Sequence, residues 1–274
     1  FTLLVLARLA ALGHRPVVVS RGYRAASGPR PLVLTPSSTA AEAGDEPVLL
    51  ARRGATVVVD PDRVRGAARA AELGASVVVL DDGFSHRRLA RDLDVVLLDA
   101  ARPFGRLLPA GPLREPPAAL ARAHLVVLNQ GAASTPPPAP PLPCPAVRVR
   151  VVPEGVGPAA GPWASPEALR GVQVALLSAI ARPRRLAESV TALGATVVHM
   201  DAHPDHAPLV DAAVQAFVAA ARAAGAARLL TTEKDATRLS PEALAQLEIL
   251  RVGHQVLEGE DHLSAALARL GTPP

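Results

Sequence analysis

Two adjacent carboxylates, a glycine and an imidazole fall within one short turn, Asp81-Asp82-Gly83-Phe84-Ser85-His86, directly after the apolar run that ends at Leu80. Such a run reads as a buried strand of a parallel sheet, and ligands of parallel sheets collect at the carboxyl ends of the strands. Adjacent carboxylates repel each other unless a cation or basic groups compensate, so a divalent metal or a metal-bound phosphate suits this turn. A polar strand-to-helix turn in which Asp82 caps the next segment fits the same residues.

Further polar clusters fall where other strands are expected to end. Gly44-Asp45-Glu46-Pro47 offers two acids, either as site residues or as the acidic first turn of a helix. Arg114 and Glu115 lie in the stretch Gly111-Pro112-Leu113-Arg114-Glu115-Pro116, whose glycine and prolines hold a loop in one conformation; a surface ion pair is the alternative. His203-Pro204-Asp205-His206 places two imidazoles beside a carboxylate, as a metal site, an oriented general base or a solvated loop. Thr231-Thr232-Glu233-Lys234-Asp235 holds the only lysine of the chain. In a chain that otherwise uses arginine, that lysine marks a place where a compact ammonium is wanted.

Strand-like and helix-like runs alternate to position these clusters. Strands are expected at 17–20, 56–59, 76–80, 94–98 and 125–128, with helices at 1–12, 48–52 and 62–73 between them. A Pro-, Ala- and Ser-rich segment at 131–145 reads as a connection. Beyond it, strands are expected at 147–152, 172–178, 196–199, 228–231 and 249–252, and helices at 183–193, 208–224, 241–247 and 262–270. The alternation predicts an α/β fold with an open, largely parallel sheet and helices on both faces. The domain expectation is a core over 1–130, a connection over 131–150 and a second, smaller α/β lobe over 151–274.

Composition excludes several classes. The chain has 274 residues, 49% of them hydrophobic, enough for one large core or two modest ones. A single cysteine, Cys144, rules out a disulfide partner within the chain and a thiolate cluster. The net charge of +4 is weak evidence for nucleic-acid binding, since aromatics make up only 2% and few bases could stack. No uninterrupted apolar run reaches the roughly 18 to 20 residues of a membrane span. Association with a membrane surface stays open.

Taken in order, Ser20-Arg21-Gly22-Tyr23, Gly44-Asp45-Glu46-Pro47, Asp81-Asp82-Gly83-Phe84-Ser85-His86-Arg87-Arg88-Leu89, Leu108-Pro109-Ala110-Gly111-Pro112-Leu113-Arg114-Glu115-Pro116, Asp205-His206 and Thr231-Thr232-Glu233-Lys234-Asp235-Ala236 resemble the tetraacyldisaccharide 4'-kinase family of lipid A biosynthesis. The resemblance covers essentially the whole chain. It implies a P-loop NTPase-like kinase, dependent on ATP and Mg²⁺, that phosphorylates the 4'-hydroxyl of a lipid disaccharide phosphate. It also implies a place peripheral to the cytoplasmic face of a Gram-negative inner membrane. On the family pattern Asp45 and His206 activate the sugar hydroxyl, and Asp81, Asp82, His86 and Glu115 surround Mg²⁺ and the phosphates. Arg114 and Arg63 stabilise phosphate charge, Tyr23 sits near the substrate, and Glu233, Lys234 and Asp235 contribute from the last turn.

Three departures stand out. Ser85 occupies a position where family members commonly carry Gln, and 178–183 is a loosened version of a Gly-Ile turn. No Gly-x-x-x-x-Gly-Lys-[Ser/Thr] loop occurs, and Lys234 lies in another segment. The expectation is therefore an N-terminally truncated chain without first strand, Walker A loop or anchoring helix, which binds nucleotide poorly. A degenerate homologue that only binds lipid or a partner, and a metal-dependent hydrolase using the Asp-Asp, Glu and His groups, are the alternatives.

Overall fold

The structure, a computed structural model, describes residues 1–26, 28–131, 135, 137–205 and 207–271. The chain runs through α1 (Thr2–Ala11), β1 (Pro16–Ser20), β2 (Leu32–Val33), α2 (Ala40–Ala43), α3 (Asp45–Arg52), β3 (Thr56–Val59), α4 (Arg63–Glu72), β4 (Val77–Leu80), β5 (Val95–Asp99) and β6 (Leu125–Asn129). It continues through β7 (Ala146–Gly157), β8 (Gln173–Ser178), α5 (Pro183–Ala192), β9 (Thr196–Ala202), α6 (Asp211–Ala223), β10 (Arg228–Thr232), α7 (Glu233–Ala236), α8 (Pro241–Leu244), β11 (Glu248–Glu258) and α9 (Glu260–Ala268).

The first sheet has the order β2-β3-β1-β4, with β3, β1 and β4 parallel. Its valine runs are apolar on both faces because helices cover both. Val17, Val19 and Val58 pack on Ala70 of α4, while Val18, Val57 and Val59 pack on Val48 and Ala51 of α3. Each fully buried valine or leucine contributes about 1.5–3 kcal/mol.

The second sheet has the order β5-β6-β7-β11-β10-β8-β9. Val174 and Leu176 of β8 face α5, and Ala175 and Leu177 face α6. The period of two along a strand covers both faces here as well. Leu9 of α1 and Leu263 and Leu267 of α9 pack on Leu125, Val127, Val147 and Val149, with Val77 and Val79 of β4 against the same cluster. Helices α1 and α9 thus hold the two sheets together.

Two features differ from the expected pattern. The strands expected at 147–152 and 249–252 extend to 12 and 11 residues, and they pair antiparallel from Ile249↔Gly157 to Glu258↔Arg148. Residues 146–150 of the expected connection are therefore the start of β7. This ribbon joins a parallel trio, β5-β6-β7, to a parallel quartet, β11-β10-β8-β9. Strands from both expected lobes share one sheet through it.

Candidate active site

Asp81 follows β4 and extends its ladder, its N–H donating to the Val19 carbonyl at 3.0 Å. The Ser20 hydroxyl donates to Asp81 Oδ2 at 3.2 Å. Burial pushes the Asp81 carboxyl above the usual carboxylate range, and the negative charges of Glu46 and Asp82 push the same way against Ser20 and Arg63. Asp82 adopts φ 52, a left-handed conformation costly for a residue with a Cβ, and such strain concentrates at functional sites. Its carboxylate forms an ion pair with Arg114, both side chains more than half exposed. A pair so exposed is worth about 0–1 kcal/mol, so a ligand can displace it cheaply. The hydrogen bond to Asp82 raises the Arg114 pKa, with smaller contributions from Tyr23 and Glu46, which places both of those residues in its electrostatic neighbourhood.

Arg63, first residue of α4, is buried under this turn and donates to the carbonyls of Asp60 at 3.2 Å and Asp81 at 3.4 Å. Its Nε has no partner, and burial lowers its pKa, with Arg21 adding to the effect. The helix behind it is capped by Asp62, which accepts from Val64 N at 3.0 Å.

Glu115 lies across the turn. It accepts from Ser85 Oγ and from Arg122, each at 2.7 Å, and these two bonds hold its carboxyl below the usual range. Arg122 also stacks over Phe84 at 4.6 Å. Ser85, the departure from the family pattern, thus orients Glu115. The His86 Nε2 is buried without a partner, and desolvation followed by Arg63 and Arg88 lowers the ring pKa. The imidazole sits among arginines, whose charges disfavour its protonation. Among the described residues no group of three or more His, Cys, Asp or Glu is arranged to hold a metal ion. Asp82 and Glu115 are engaged by Arg114 and Arg122, and Asp81 accepts from Ser20.

The second wall comes from α3 and the carboxyl ends of β9 and β10. Asp45, first residue of α3, lies 3.5 Å from Arg238 Nε. Arg238 also pairs with the fully buried Asp235 and donates to the carbonyls of Ala207 and Ala179 at 3.1 and 3.2 Å. Lys234 reaches Glu46 at 3.5 Å and Asp205 at 3.6 Å. Asp235 accepts from Thr232 Oγ1 at 2.7 Å while its own N–H donates to that hydroxyl at 3.0 Å, closing the start of α7. Glu233 is held by Arg53 and Arg251, each at 3.1 Å. His206, expected beside Asp45, lies outside the described residues.

Glu46 links the walls, bonded to Lys234 on one side and electrostatically coupled to Asp81 and Arg114 on the other. Tyr23 is 61% exposed at the rim and stacks with Arg24 at 5.6 Å. Beneath the acidic turn a cavity of about 990 Å³ runs between β4 and β5, with Asp81, Asp82, Arg114 and Glu115 among its lining residues. Both strands are edges of their sheets. Arg238 and Arg122 were missed by sequence reasoning, and Ser20 was read only as part of its motif. The spacing of Asp235 and Arg238, three residues apart, was the one local signal for any of them.

Acids, arginines and a lysine brought from two sheets to the carboxyl ends of parallel strands are the equipment of an α/β phosphotransferase. A family model described as tetraacyldisaccharide-1-P 4'-kinase matches residues 1–271, and the chain belongs to that family. A tetraacyldisaccharide 4'-kinase of Anaeromyxobacter dehalogenans (strain 2CP-C) is 45% identical over 290 residues, covering 97% of this chain and 76% of the relative. One from Rhodospirillum centenum is 39% identical over 97% of this chain and 77% of its own length. A crystal structure of LpxK from Aquifex aeolicus in complex with ATP superposes with a TM-score of 0.79 at 27% identity, covering 98% of this chain and 82% of that one.

Proposed function

We propose that the protein transfers the γ-phosphoryl group of ATP to the 4'-hydroxyl of a tetraacyl disaccharide 1-phosphate, a step of lipid A biosynthesis. The observation that carries the reading is the charged cleft formed by Asp81, Asp82, Arg63 and Arg114 on one wall and Asp45, Glu46 and Lys234 on the other, in a chain of this family. In the transfer the sugar oxygen attacks the γ-phosphorus, the bond from the bridging oxygen to that phosphorus breaks, and ADP leaves. Asp45, with His206, takes the hydroxyl proton.

Arg114 gives up its exposed pair with Asp82 to bind phosphate oxygens, and Arg63 supplies a fixed positive charge from below. Tyr23 at the rim contacts the sugar. Lys234 is the lysine available in 1–274, which contains no Walker A sequence. Asp81 fits a divalent cation delivered with the phosphates, since burial and the charges of Glu46 and Asp82 disfavour its negative charge, and the adjacent Asp82 offers a second carboxylate. Mg²⁺ there would neutralise phosphate charge. Because Mg²⁺ commonly takes one or two carboxylates plus phosphates and waters, no cage of protein ligands is needed. ATP as donor and an acylated acceptor together suggest work at the cytoplasmic face of a Gram-negative inner membrane. Membership of a family of kinases, with relatives at 45% identity, favours phosphoryl transfer over the hydrolase alternative.

The test is phosphoryl transfer from γ-labelled ATP to the disaccharide lipid by the full-length protein. Asp45→Ala and His206→Ala are expected to lower kcat about 10²–10⁴-fold with the fold retained. Absence of transfer by the parent protein would overturn the kinase reading, and wild-type turnover by both variants would remove the pair from the mechanism.

A further inference from the structure

The loop between β5 and the acidic cleft presents apolar side chains to solvent on a rigid frame. Phe104 is 38% exposed, Leu107 43% and Leu108 62%. The frame is built by backbone: Leu108 N donates to Leu113 O at 2.9 Å, Leu113 N donates to Arg106 O at 3.1 Å, and Leu107 bridges Leu113. Gly111 permits the closure, because a Cβ there would stand 2.3 Å from the Arg106 carbonyl oxygen. The backbone closure holds Leu107 and Leu108 on the outer side of the loop, where their side chains are exposed.

Charge identifies what the loop meets. From Ala100 to Arg114 the chain carries Arg102, Arg106 and Arg114 and no acid. Arg102 and Arg106 are exposed and form no ion pair among the described residues. Apolar side chains flanked by unpaired guanidiniums match the boundary of an anionic bilayer, where the headgroups take the cations and the acyl region takes Leu and Phe. Pro103, Phe104, Pro112 and Leu113 also line the large cavity, so the loop is continuous with the cleft that holds Asp82 and Arg114. We propose that residues 103–110 are the membrane-docking loop of this protein, seating Leu107, Leu108 and Phe104 in an anionic bilayer surface beside the mouth of the active site. The inference rests on the reading of an acylated substrate above.

The test separates the two. Full-length protein is sedimented with phosphatidylcholine vesicles and with vesicles containing added phosphatidylglycerol, without ATP or lipid substrate. A Leu107→Ser/Leu108→Ser variant is expected to lose at least about tenfold in partitioning to both, and Arg102→Gln/Arg106→Gln to lose the gain from phosphatidylglycerol. Unchanged partitioning of either variant, or no partitioning of the parent, overturns the proposal. Kinase assays with substrate in vesicles and in detergent micelles complete it. A serine variant impaired in vesicles and normal in micelles supports docking. Equal impairment in both assigns the leucines to the acyl chains of the substrate and overturns docking. Vesicle binding that tracks the loop without any phosphoryl transfer keeps the docking surface and removes the kinase reading.

Discussion

Asp81 and Glu115 face the same cleft with opposite electrostatic histories. The folded pKa of Asp81 is raised, so its ionisation works against folding: stability falls as pH rises from the unfolded carboxylate value through the folded one. Asp81→Asn is therefore expected to raise the melting temperature at pH 7–8, to lose that advantage near pH 4, and to lower phosphoryl transfer at least about 10²-fold if Asp81 holds the metal-phosphate charge. Glu115 is the reverse, with a folded pKa lowered by Ser85 and Arg122. Its contribution is present above the unfolded value and is lost as pH falls through the folded one. Glu115→Gln should lower the melting temperature at pH 7 and leave it unchanged in acid, where the wild-type group is already protonated. Thermal melts of both variants from pH 3 to 8 check the two signs. Matching pH profiles would mean that the environments described for these carboxylates are wrong.

At the scale of elements, the cleft depends on how loops meet the first turns of helices. Gly44 precedes α3 at φ 89 and ψ 157, a region only glycine adopts readily, and a Cβ there would lie 2.7 Å from the Tyr23 carbonyl oxygen. The Ser20–Tyr23 turn and the start of α3 thus touch backbone to backbone, which sets Tyr23 against Asp45 and Glu46. Gly44→Ala is expected to cost about 1–3 kcal/mol in urea unfolding and to raise KM through displacement of Tyr23. A variant of unchanged stability would show that this contact relaxes freely.

The two sheets are joined by ion pairs, most of them largely buried, as well as by α1 and α9. Arg53 of the α3 segment donates to Glu233 at 3.1 Å and to Glu154 at 2.5 Å, and Arg238 spans Asp45 and Asp235. Removing one partner from such a group leaves a carboxylate buried and uncompensated. Arg238→Ala is expected to cost about 3–5 kcal/mol, read by equilibrium denaturation, and to lower activity through Asp45. A cost near zero would mean that water replaces the guanidinium. The arrangement places a structural arginine against the proposed base, so stability and catalysis are coupled across the cleft.

Continuous valine and leucine runs made β1, β3, β4, β5 and β6 legible, because an apolar segment a few residues long between turn signals has few other ways to bury itself. The polar groups at their carboxyl ends were legible for the same reason, as residues such as Asp81 and Asp82 stand out against apolar surroundings. The length and antiparallel pairing of β7 and β11 were not: Pro153, Glu154 and Gly155 interrupt the apolar pattern, and the strands lie about a hundred residues apart, as the pairing of Gly157 with Ile249 shows. Chain order likewise placed Asp45 far from Asp235 and Arg238, and Glu115 among prolines with no mark of its bonds to Ser85 and Arg122. Which residues carry the chemistry follows from side-chain type and local spacing. Which acid keeps its charge, which is quenched by an arginine and which cation spans the two sheets depend on burial and long-range pairing, and those arise only once the chain has folded.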